Sequence, residues 1–239
     1  MEDYVKAALT KGLHKITFLE HLEVKILTHN RTWLTTDKID EYFRRGRLLK
    51  KKYGNCIKIF LGVEIGYNPE ELEAINLLLN EYPWENIGLS YHFYFFDGRH
   101  FNMMSRNQKH LTVLEKIGLD NIADHYFTTL INALDHITCD KICHIDAVLR
   151  HIPTFKLTGR HQLLVDTLLA RMKKKRIALE INTSGFAIGN QPYPCAQITK
   201  KALDLDLPLV IGSDAHHPEQ VGRFFDHLPN WLHYAASLP

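Results

Sequence analysis

The sequence has few cysteines and no long apolar run. Four of its 239 residues are cysteine, and none forms a Cys-x-x-Cys pair, so nothing indicates a disulfide framework. We interpret all four as reduced, part-buried thiols. No apolar run approaches the roughly 18 residues that a membrane span requires, and the acidic start Met1-Glu2-Asp3-Tyr4 leads into no apolar signal segment. These absences predict a cytoplasmic protein with no membrane partner.

The sequence also lacks a strong charge of either sign. Its 29 Lys and Arg residues nearly balance its 27 Asp and Glu residues, which gives a formal net charge of +2. This balance argues against a protein that binds nucleic acid through bulk electrostatics. The basic clusters at residues 50–52 and 173–176 each precede an apolar run, which is typical of solvated helix C-termini. We therefore expect no nucleic-acid partner.

Strands and helices are predicted to alternate along the whole chain. Apolar runs bounded by Gly, Pro or polar clusters predict strands at 15–19, 57–65, 84–93, 141–148, 177–182 and 207–211. Amphipathic segments predict the helices between them, while a polar loop with Asn30 and Arg31 follows the first strand, and a polar-aromatic rim loop runs to about Asn107. Such alternation requires a parallel sheet covered by helices. It fits either a barrel or an open doubly wound sheet, and no linker divides residues 1–239, so we expect one domain. No Gly-x-Gly-x-x-Gly follows the first strand, so nothing supports dinucleotide binding.

Histidines and carboxylates follow the predicted strands. Functional residues of parallel α/β folds gather where the strands end, and the side chains at these ends are His21, Glu64, His92, His144, Asp214 and His216. Imidazole and carboxylate together are ligands for zinc, manganese or iron, and the absence of Cys from these positions argues against a closed structural zinc site. Each residue alone is more often structural, but six at strand ends predict a metal centre.

Several neighbours of these residues stay open to two interpretations. Glu20 and Asp146 either orient a ligand imidazole or are ordinary rim carboxylates. The stretch from Asn182 to Ser184 either offers donors to phosphate oxygens or forms a plain turn. Arg150 and Arg160 flank the loop after His144, and each either binds an anion or lies on the surface. We take Asn182, Ser184, Arg150 and Arg160 as candidate substrate-binding residues.

Taken together, the motifs resemble those of the polymerase and histidinol phosphatase (PHP) superfamily, and within it the histidinol-phosphatase branch. The resemblance rests on Phe18-Leu19-Glu20-His21, Gly62-Val63-Glu64, Gly88-Leu89-Ser90-Tyr91-His92-Phe93, His144-Ile145-Asp146, Glu180-Ile181-Asn182-Thr183-Ser184-Gly185 and Gly212-Ser213-Asp214-Ala215-His216. It covers nearly the whole chain in the family's order. It implies a distorted (β/α)₇ barrel with two or three divalent ions at the strand ends, held at the six positions above.

The resemblance also implies an activity, the hydrolysis of L-histidinol phosphate in histidine biosynthesis. Glu64, Asp214 and His216 would be the catalytic residues, with Glu64 bridging two ions. No Ser or Cys in these motifs is recognisable as an activated nucleophile, which favours direct attack by a metal-held hydroxide over a phosphoenzyme. A nuclease of the same superfamily is disfavoured by the near-neutral charge.

Two departures from the family pattern support a rival hypothesis. Family members begin with a strand that carries a His-x-His pair, whereas this chain starts at the helix expected after that strand. Ala187 stands where relatives tend to carry Arg. The rival is a non-catalytic or regulatory barrel with an incomplete metal cluster. We expect the first strand to be missing from this chain and the sheet to be unable to close.

Overall fold

The computed structural model describes residues 1–28 and 31–239, and a parallel sheet lies at its centre. The strands are, in chain order, β1 (Lys15–Glu23), β2 (Lys58–Gly66), β3 (Ile87–Ser90), β4 (Phe93–Phe96), β5 (Arg99–Asn102), β6 (Lys141–Ile142), β7 (Ala178–Asn182) and β8 (Leu209–Gly212). Within the described residues, six of them form one curled half-barrel in the order β1-β2-β3-β6-β7-β8. Every pairing in it is parallel. The predicted helix-covered parallel α/β fold is confirmed, and the sheet is open between β1 and β8.

The helices cover the outer face of this sheet. They are α1 (Glu2–Thr10), α2 (Thr36–Tyr53), α3 (Leu72–Glu81), α4 (Gln108–Ile117), α5 (Leu119–Ala133), α6 (Gly159–Lys175), α7 (Phe186–Gly189), α8 (Ala196–Asp204) and α9 (Leu228–Ser237). Gly118, with φ 102°, separates α4 from α5. Thr158 and His161 form a reciprocal cap at the start of α6. No helix among the described residues is long and apolar enough to cross a membrane.

The core lies between the sheet and the helices. Val63, Ile65 and Leu89 of the sheet are fully buried, as are Tyr126 and Phe127 of α5. Burial of such large side chains stabilises a fold by roughly 1.5–3 kcal/mol each. This packing fixes the sheet against the helices, so the ends of the strands are held at one rim.

Four details differ from the prediction. The predicted rim loop contains the β4–β5 hairpin, which turns at Asp97 and Gly98, both with positive φ. β1 continues past His21 to Glu23, whereas the strand predicted at 141–148 pairs only at Lys141–Ile142. Of the four thiols predicted to be part-buried, only Cys195 is, since Cys56 is exposed and Cys139 and Cys143 are buried. Of the predicted polar loop, Asn30 lies outside the described residues.

Candidate metal centre

The strand register places Glu64 at the middle of the site. Glu64 of β2 is the pairing partner of His21 in β1 and of Gly88 in β3. Paired residues of neighbouring strands point to the same face of a sheet. The Glu64 side chain is buried at this position, with only 6% of it exposed.

The Glu64 carboxylate contacts three imidazoles. Its Oε1 lies 2.9 Å from His144 Nε2 and 3.2 Å from His92 Nε2, and its Oε2 lies 3.9 Å from His21 Nδ1. Burial alone would raise the pKa of Glu64, but the imidazoles of His21, His144 and His92 hold the pKa well below its ordinary value. The carboxylate is therefore ionised, as a metal ligand must be.

His92 lies two residues after the end of β3 and contacts a second carboxylate that the sequence analysis did not select. Its Nδ1 lies 2.6 Å from Glu23 Oε1, and both side chains are buried. Burial lowers the pKa of His92, but Glu23 and Glu64 outweigh burial and raise it to about 10. Glu23 stands two residues after His21 in the same strand, so the period of two puts it on the same face. That spacing is the signal that could have identified it.

His144 follows β6 in a strained backbone conformation. Its φ is 29°, and its backbone N–H donates to Glu180 Oε2 at 3.3 Å. The ring is buried, and its Nδ1 has no hydrogen-bond partner in the described structure. With Nε2 on Glu64, this imidazole has a buried polar atom free and belongs to a donor set that suits a borderline divalent cation.

Asp214 and His216 lie on the opposite side of the cleft, after β8. Asp214 has φ 46° and accepts from Ser184 Oγ at 3.3 Å, while the Arg223 guanidinium donates to its backbone carbonyl at 2.9 Å. Burial would raise the pKa of Asp214, but His144, His216 and His21 lower it overall. The His216 imidazole is more than half exposed and donates from Nδ1 to the Asp214 carbonyl at 3.1 Å.

The described residues contain two groups of three whose ligand atoms lie within 4.8 Å of one another. One group is Glu64, His92 and His144, and the other is His21, Glu23 and His92. Asp214 and His216 fall outside both groups. His216 is nevertheless close to the second group, because the centres of the His21 and His216 rings lie 6.0 Å apart. The donor sets fit one or more zinc, manganese or iron ions.

The groups open into a cleft of about 200 Å³. The cleft is lined by candidate ligands, by aromatic side chains and by one arginine. The lining residues are His21, Glu23, Thr32, Trp33, His92, Phe93, Asn102, Met104, His144, Arg150, Asp214 and His216. A larger open depression of about 490 Å³ lies on the helical side of the molecule, against α2. Histidine is absent from that depression, and its Glu41 is already paired with Arg44 and Arg45. The smaller cleft is therefore the candidate site.

The candidate substrate residues divide into two groups. Arg150 lines the cleft, and its Nε is buried without a partner in the described structure. Ser184 and Asn182 are buried and do not line the cleft in the described structure, and Asn182 Oδ1 accepts from the Ser184 N–H at 3.0 Å. Arg160 lies on α6, where it is 77% exposed and pairs with Asp124 of α5 at 3.0 Å. The structure does not bring Arg160 to the cleft, because α6 belongs to the outer helix layer.

The two carboxylates left open by the sequence have different places. Glu20 is exposed, on the opposite side of β1 from His21. Asp146 is half-buried and its Oδ2 accepts from the Cys195 N–H at 2.7 Å, so it joins the loop after β6 to the start of α8. Burial raises the pKa of Asp146 to about 6. Neither carboxylate has a hydrogen bond to an imidazole in the described structure.

The chain is similar to known proteins over most of its length. The PHP domain family profile matches residues 1–184. The histidinol-phosphatase of Bacillus subtilis is 25% identical over 242 residues, which cover 95% of this chain and 90% of that protein. A hypothesised histidinol phosphatase of Listeria monocytogenes superposes with a TM-score of 0.86 at 20% identity, over 95% of this chain and 93% of that one.

A second solved structure extends the likeness. The histidinol phosphate phosphatase of Lactococcus lactis, solved with zinc, L-histidinol and phosphate, gives a TM-score of 0.74 at 18% identity, over 98% of this chain and 86% of that one. At these identities the two structures show a shared fold, which agrees with the curled parallel sheet described above.

Proposed function

This chain belongs to the PHP domain family, and from that premise we propose that it is a metal-dependent phosphomonoesterase of histidinol-phosphatase type. Its reaction is the hydrolysis of L-histidinol phosphate to L-histidinol and phosphate, a step of histidine biosynthesis. The observation that carries the proposal is the Glu64 carboxylate, buried behind three imidazoles that line a cleft. The curated relative from Bacillus subtilis, matched over 90% of its length, supports the choice of substrate.

The residues present fit two or three divalent ions, which we infer to be zinc, manganese or iron. Glu64, His92 and His144 would hold one ion, His21 would share a second with Glu64, and Asp214 and His216 would complete the set from the other side of the cleft. Such ions neutralise phosphate oxygens and lower the pKa of bound water to about 7. Glu64 is placed to serve two ions because each of its oxygens faces a different imidazole.

Arg150 is the group in the cleft best suited to the phosphate. Its guanidinium lines the cleft near the Tyr193 ring, 6.0 Å from the ring centre, and a planar guanidinium pairs with two phosphate oxygens at once. Ser184 acts on the site through its bond to Asp214, and Asn182 through the turn that it caps. Neither Ser nor Cys lines the cleft in the described part of the chain, which supports direct attack by water.

The test combines metal content with phosphate release. Protein purified without chelator should carry at least one divalent transition ion per chain by elemental analysis. It should release phosphate from L-histidinol phosphate faster than from a generic aryl phosphate, and Glu64→Gln should abolish that difference. Metal-free protein that takes up neither zinc nor manganese would contradict the proposal.

A second candidate is a non-catalytic barrel that binds an ion or a phosphate ester without turnover. The open sheet between β1 and β8 favours it, because the imidazoles that a closing strand would bring are absent from the described residues. Tight binding of histidinol phosphate without phosphate release, also after a closing strand is added, would support this candidate. A cytoplasmic location stays a prediction that cell fractionation would check, and the oligomeric state remains to be measured by sedimentation.

A further inference from the structure

Glu23 and His92 form a buried pair on the wall of the cleft. Glu23 Oε1 lies 2.6 Å from His92 Nδ1, and the side chains of Glu23 and His92 are 3% and 7% exposed. The other ring nitrogen, Nε2, faces Glu64 Oε1 at 3.2 Å. One nitrogen of His92 is thus held by Glu23, while the other points into the candidate metal group.

Gly66 makes room for this pair. It is the pairing partner of Glu23 across β1 and β2, so a side chain there would point at Glu23. A Cβ on Gly66 would lie 1.9 Å from Glu23 Oε2 and 2.2 Å from both Cδ and Oε1, which no packing allows. The Glu23 carboxylate therefore occupies the space that a side chain at position 66 would fill, and Gly66 is required for its position.

Both oxygens of Glu23 are engaged by these contacts. Oε1 accepts the bond from His92 Nδ1, and Oε2 packs over the backbone of Gly66. A carboxylate in this arrangement holds an imidazole in one orientation, with Nδ1–H directed at Glu23, so that Nε2 would be the nitrogen that loses its proton to a bound cation. Glu20, three residues earlier in the same strand, is exposed and offers no such contact.

We propose that Glu23 is the positioning residue of His92, and that it directs His92 Nε2 toward the ion held with Glu64. This inference rests on the metal centre of the proposed function. It assigns to Glu23 and Gly66 a joint role: the acid is supplied by β1, and the space for it by β2.

Metal affinity tests the inference without relying on turnover. The purified chain and its variants are titrated with zinc against a competing coloured chelator, and the ions bound per chain are counted by elemental analysis. Glu23→Ala should weaken zinc binding about 10–100-fold, as loss of an outer carboxylate does, while the number of ions stays the same. The zinc affinity of Glu23→Gln should lie between that of the unchanged chain and that of Glu23→Ala, because its amide oxygen still accepts from His92 Nδ1–H. Glu20→Ala is the matched control and should bind zinc like the unchanged chain.

The pairing across the strands supplies a rescue. Gly66→Ala, which removes no polar group, should displace the carboxylate and weaken zinc binding nearly as much as Glu23→Ala. Glu23→Ala combined with Gly66→Asp should recover much of the affinity. From the Gly66 Cβ, an Asp oxygen reaches about as far as Glu23 Oε1 does now, since that atom is 2.2 Å from the Cβ position. Circular dichroism and thermal melting of each metal-free variant show whether it has folded.

Each outcome decides between distinct possibilities. If Glu23→Ala binds zinc as tightly as the unchanged chain while Glu64→Gln does not, the inference on Glu23 is wrong and the proposed metal centre stands. Loss of one whole ion in Glu23→Ala would overturn the positioning role and make Glu23 a direct ligand. Weaker zinc binding in Glu23→Ala, together with no phosphate release by the unchanged chain, would support the inference and contradict the proposed activity. A folded Glu23→Ala/Gly66→Asp variant that recovers no zinc affinity would also count against the positioning role of Glu23.

Discussion

Glu64 is the residue on which most of the site converges. His21, His92 and His144 come from three separate parts of the chain, yet each has a ring nitrogen within 4 Å of the same carboxylate. A buried carboxylate in contact with three imidazoles is stabilised without metal, because the imidazoles offset its negative charge and hydrogen-bond to it. In the proposed metal centre, the same atoms would be the ligands. A change at Glu64 should therefore affect both the stability of the metal-free protein and its metal content.

We expect Glu64→Gln to be far more damaging than Glu20→Gln. The neutral amide cannot bridge two cations, so phosphate release should fall by more than the about 10–100-fold typical of an outer carboxylate, and at least one ion should be lost. Glu20 is exposed on the other side of β1, so its amide variant should keep both rate and metal content. Equal losses of rate in the two variants would contradict the assignment of Glu64.

The four cysteines should differ sharply in reactivity. Cys56 is exposed, whereas burial raises the pKa of Cys139 and of Cys195 to about 12 and raises that of Cys143 well above its ordinary value. Only the thiolate reacts with a disulfide reagent. We expect one fast-reacting thiol per native chain at about pH 8 and four after unfolding, counted by the absorbance of the released aromatic thiol.

Two serine variants identify the reactive thiol. Cys56→Ser should leave no fast-reacting thiol, while Cys195→Ser, at a half-buried position, should leave one. A fast phase that survives in Cys56→Ser would show that a buried thiol is reached by local opening.

Sequence reasoning selected residues by type and position at strand ends, and this explains which residues it found and which it missed. His21, Glu64, His92 and His144 follow apolar runs, and the structure brings them together. Glu23 was missed because the first strand was ended too early, which hid the two-residue spacing from His21. Arg160 was selected because it lies near His144 in sequence, but only the helix layer decides which way it points.

At the scale of elements, the strands that were well predicted are those with continuous apolar runs. β2 and β7 match their predicted ranges within a residue or two at each end. The β4–β5 hairpin has an Asp97-Gly98 turn between aromatic residues, which is a recognisable hairpin signal that was outweighed by the polarity of the segment. β6 is short because Glu180 takes the His144 N–H, and the backbone there turns to positive φ. That contact joins residues 36 apart, beyond the reach of local pattern.

The same Glu180 forms a buried ion pair inside the sheet. Lys141 Nζ of β6 lies 3.2 Å from Glu180 Oε1 of β7, and the two side chains are 11% and 6% exposed. Burial lowers the pKa of Lys141, but Glu180 outweighs burial and raises it above its ordinary value, so the Lys141 ammonium keeps its charge. The pair links two neighbouring strands at the point where β6 ends.

We expect Lys141→Met to destabilise the protein by about 3–5 kcal/mol, because it leaves the buried Glu180 carboxylate without its cation. The measurement is the free energy of unfolding in urea, followed by circular dichroism. Lys200→Met is the control, since Lys200 pairs with Asp204 on the surface of α8 and should lose less than about 1 kcal/mol. Similar losses in the two variants would mean that Glu180 is satisfied by His144 and Asn182 alone.

At the scale of the whole molecule, the helix layer covers the gap between β1 and β8, whereas the sheet does not close it. The outer layer is closed near the gap by α1, whose Tyr4 hydroxyl donates to the His216 carbonyl at 2.7 Å and whose ring packs 6.3 Å from Phe18 of β1. The sheet beneath it is open, because β1 and β8 each pair on one side only within the described residues. Ile211 of β8 is 52% exposed as a result. An open edge of this kind favours pairing with another chain.

The open sheet leads to the last prediction, which concerns a strand added ahead of Met1. We expect the 239-residue chain to release phosphate well below the ordinary enzymatic range of about 1–10³ per second. A strand of the family type, with a His-x-His pair and a short connection to α1, should raise the rate into that range. The added strand would pair with β1 and β8, cover Ile211, and bring two further imidazoles to the cleft, where in-line attack requires at least two ions.

A matched strand with both histidines replaced by alanine separates the two effects. It should close the sheet, raise the melting temperature and reduce self-association measured by sedimentation, yet leave the rate low, because closure supplies hydrogen bonds but no ligands. The bare chain would be the most self-associating of the three proteins, since its edge strands stay unpaired. Turnover of histidinol phosphate by the bare chain at an ordinary rate would show that His21, His92, His144 and the residues after β8 already hold every ion that the reaction needs.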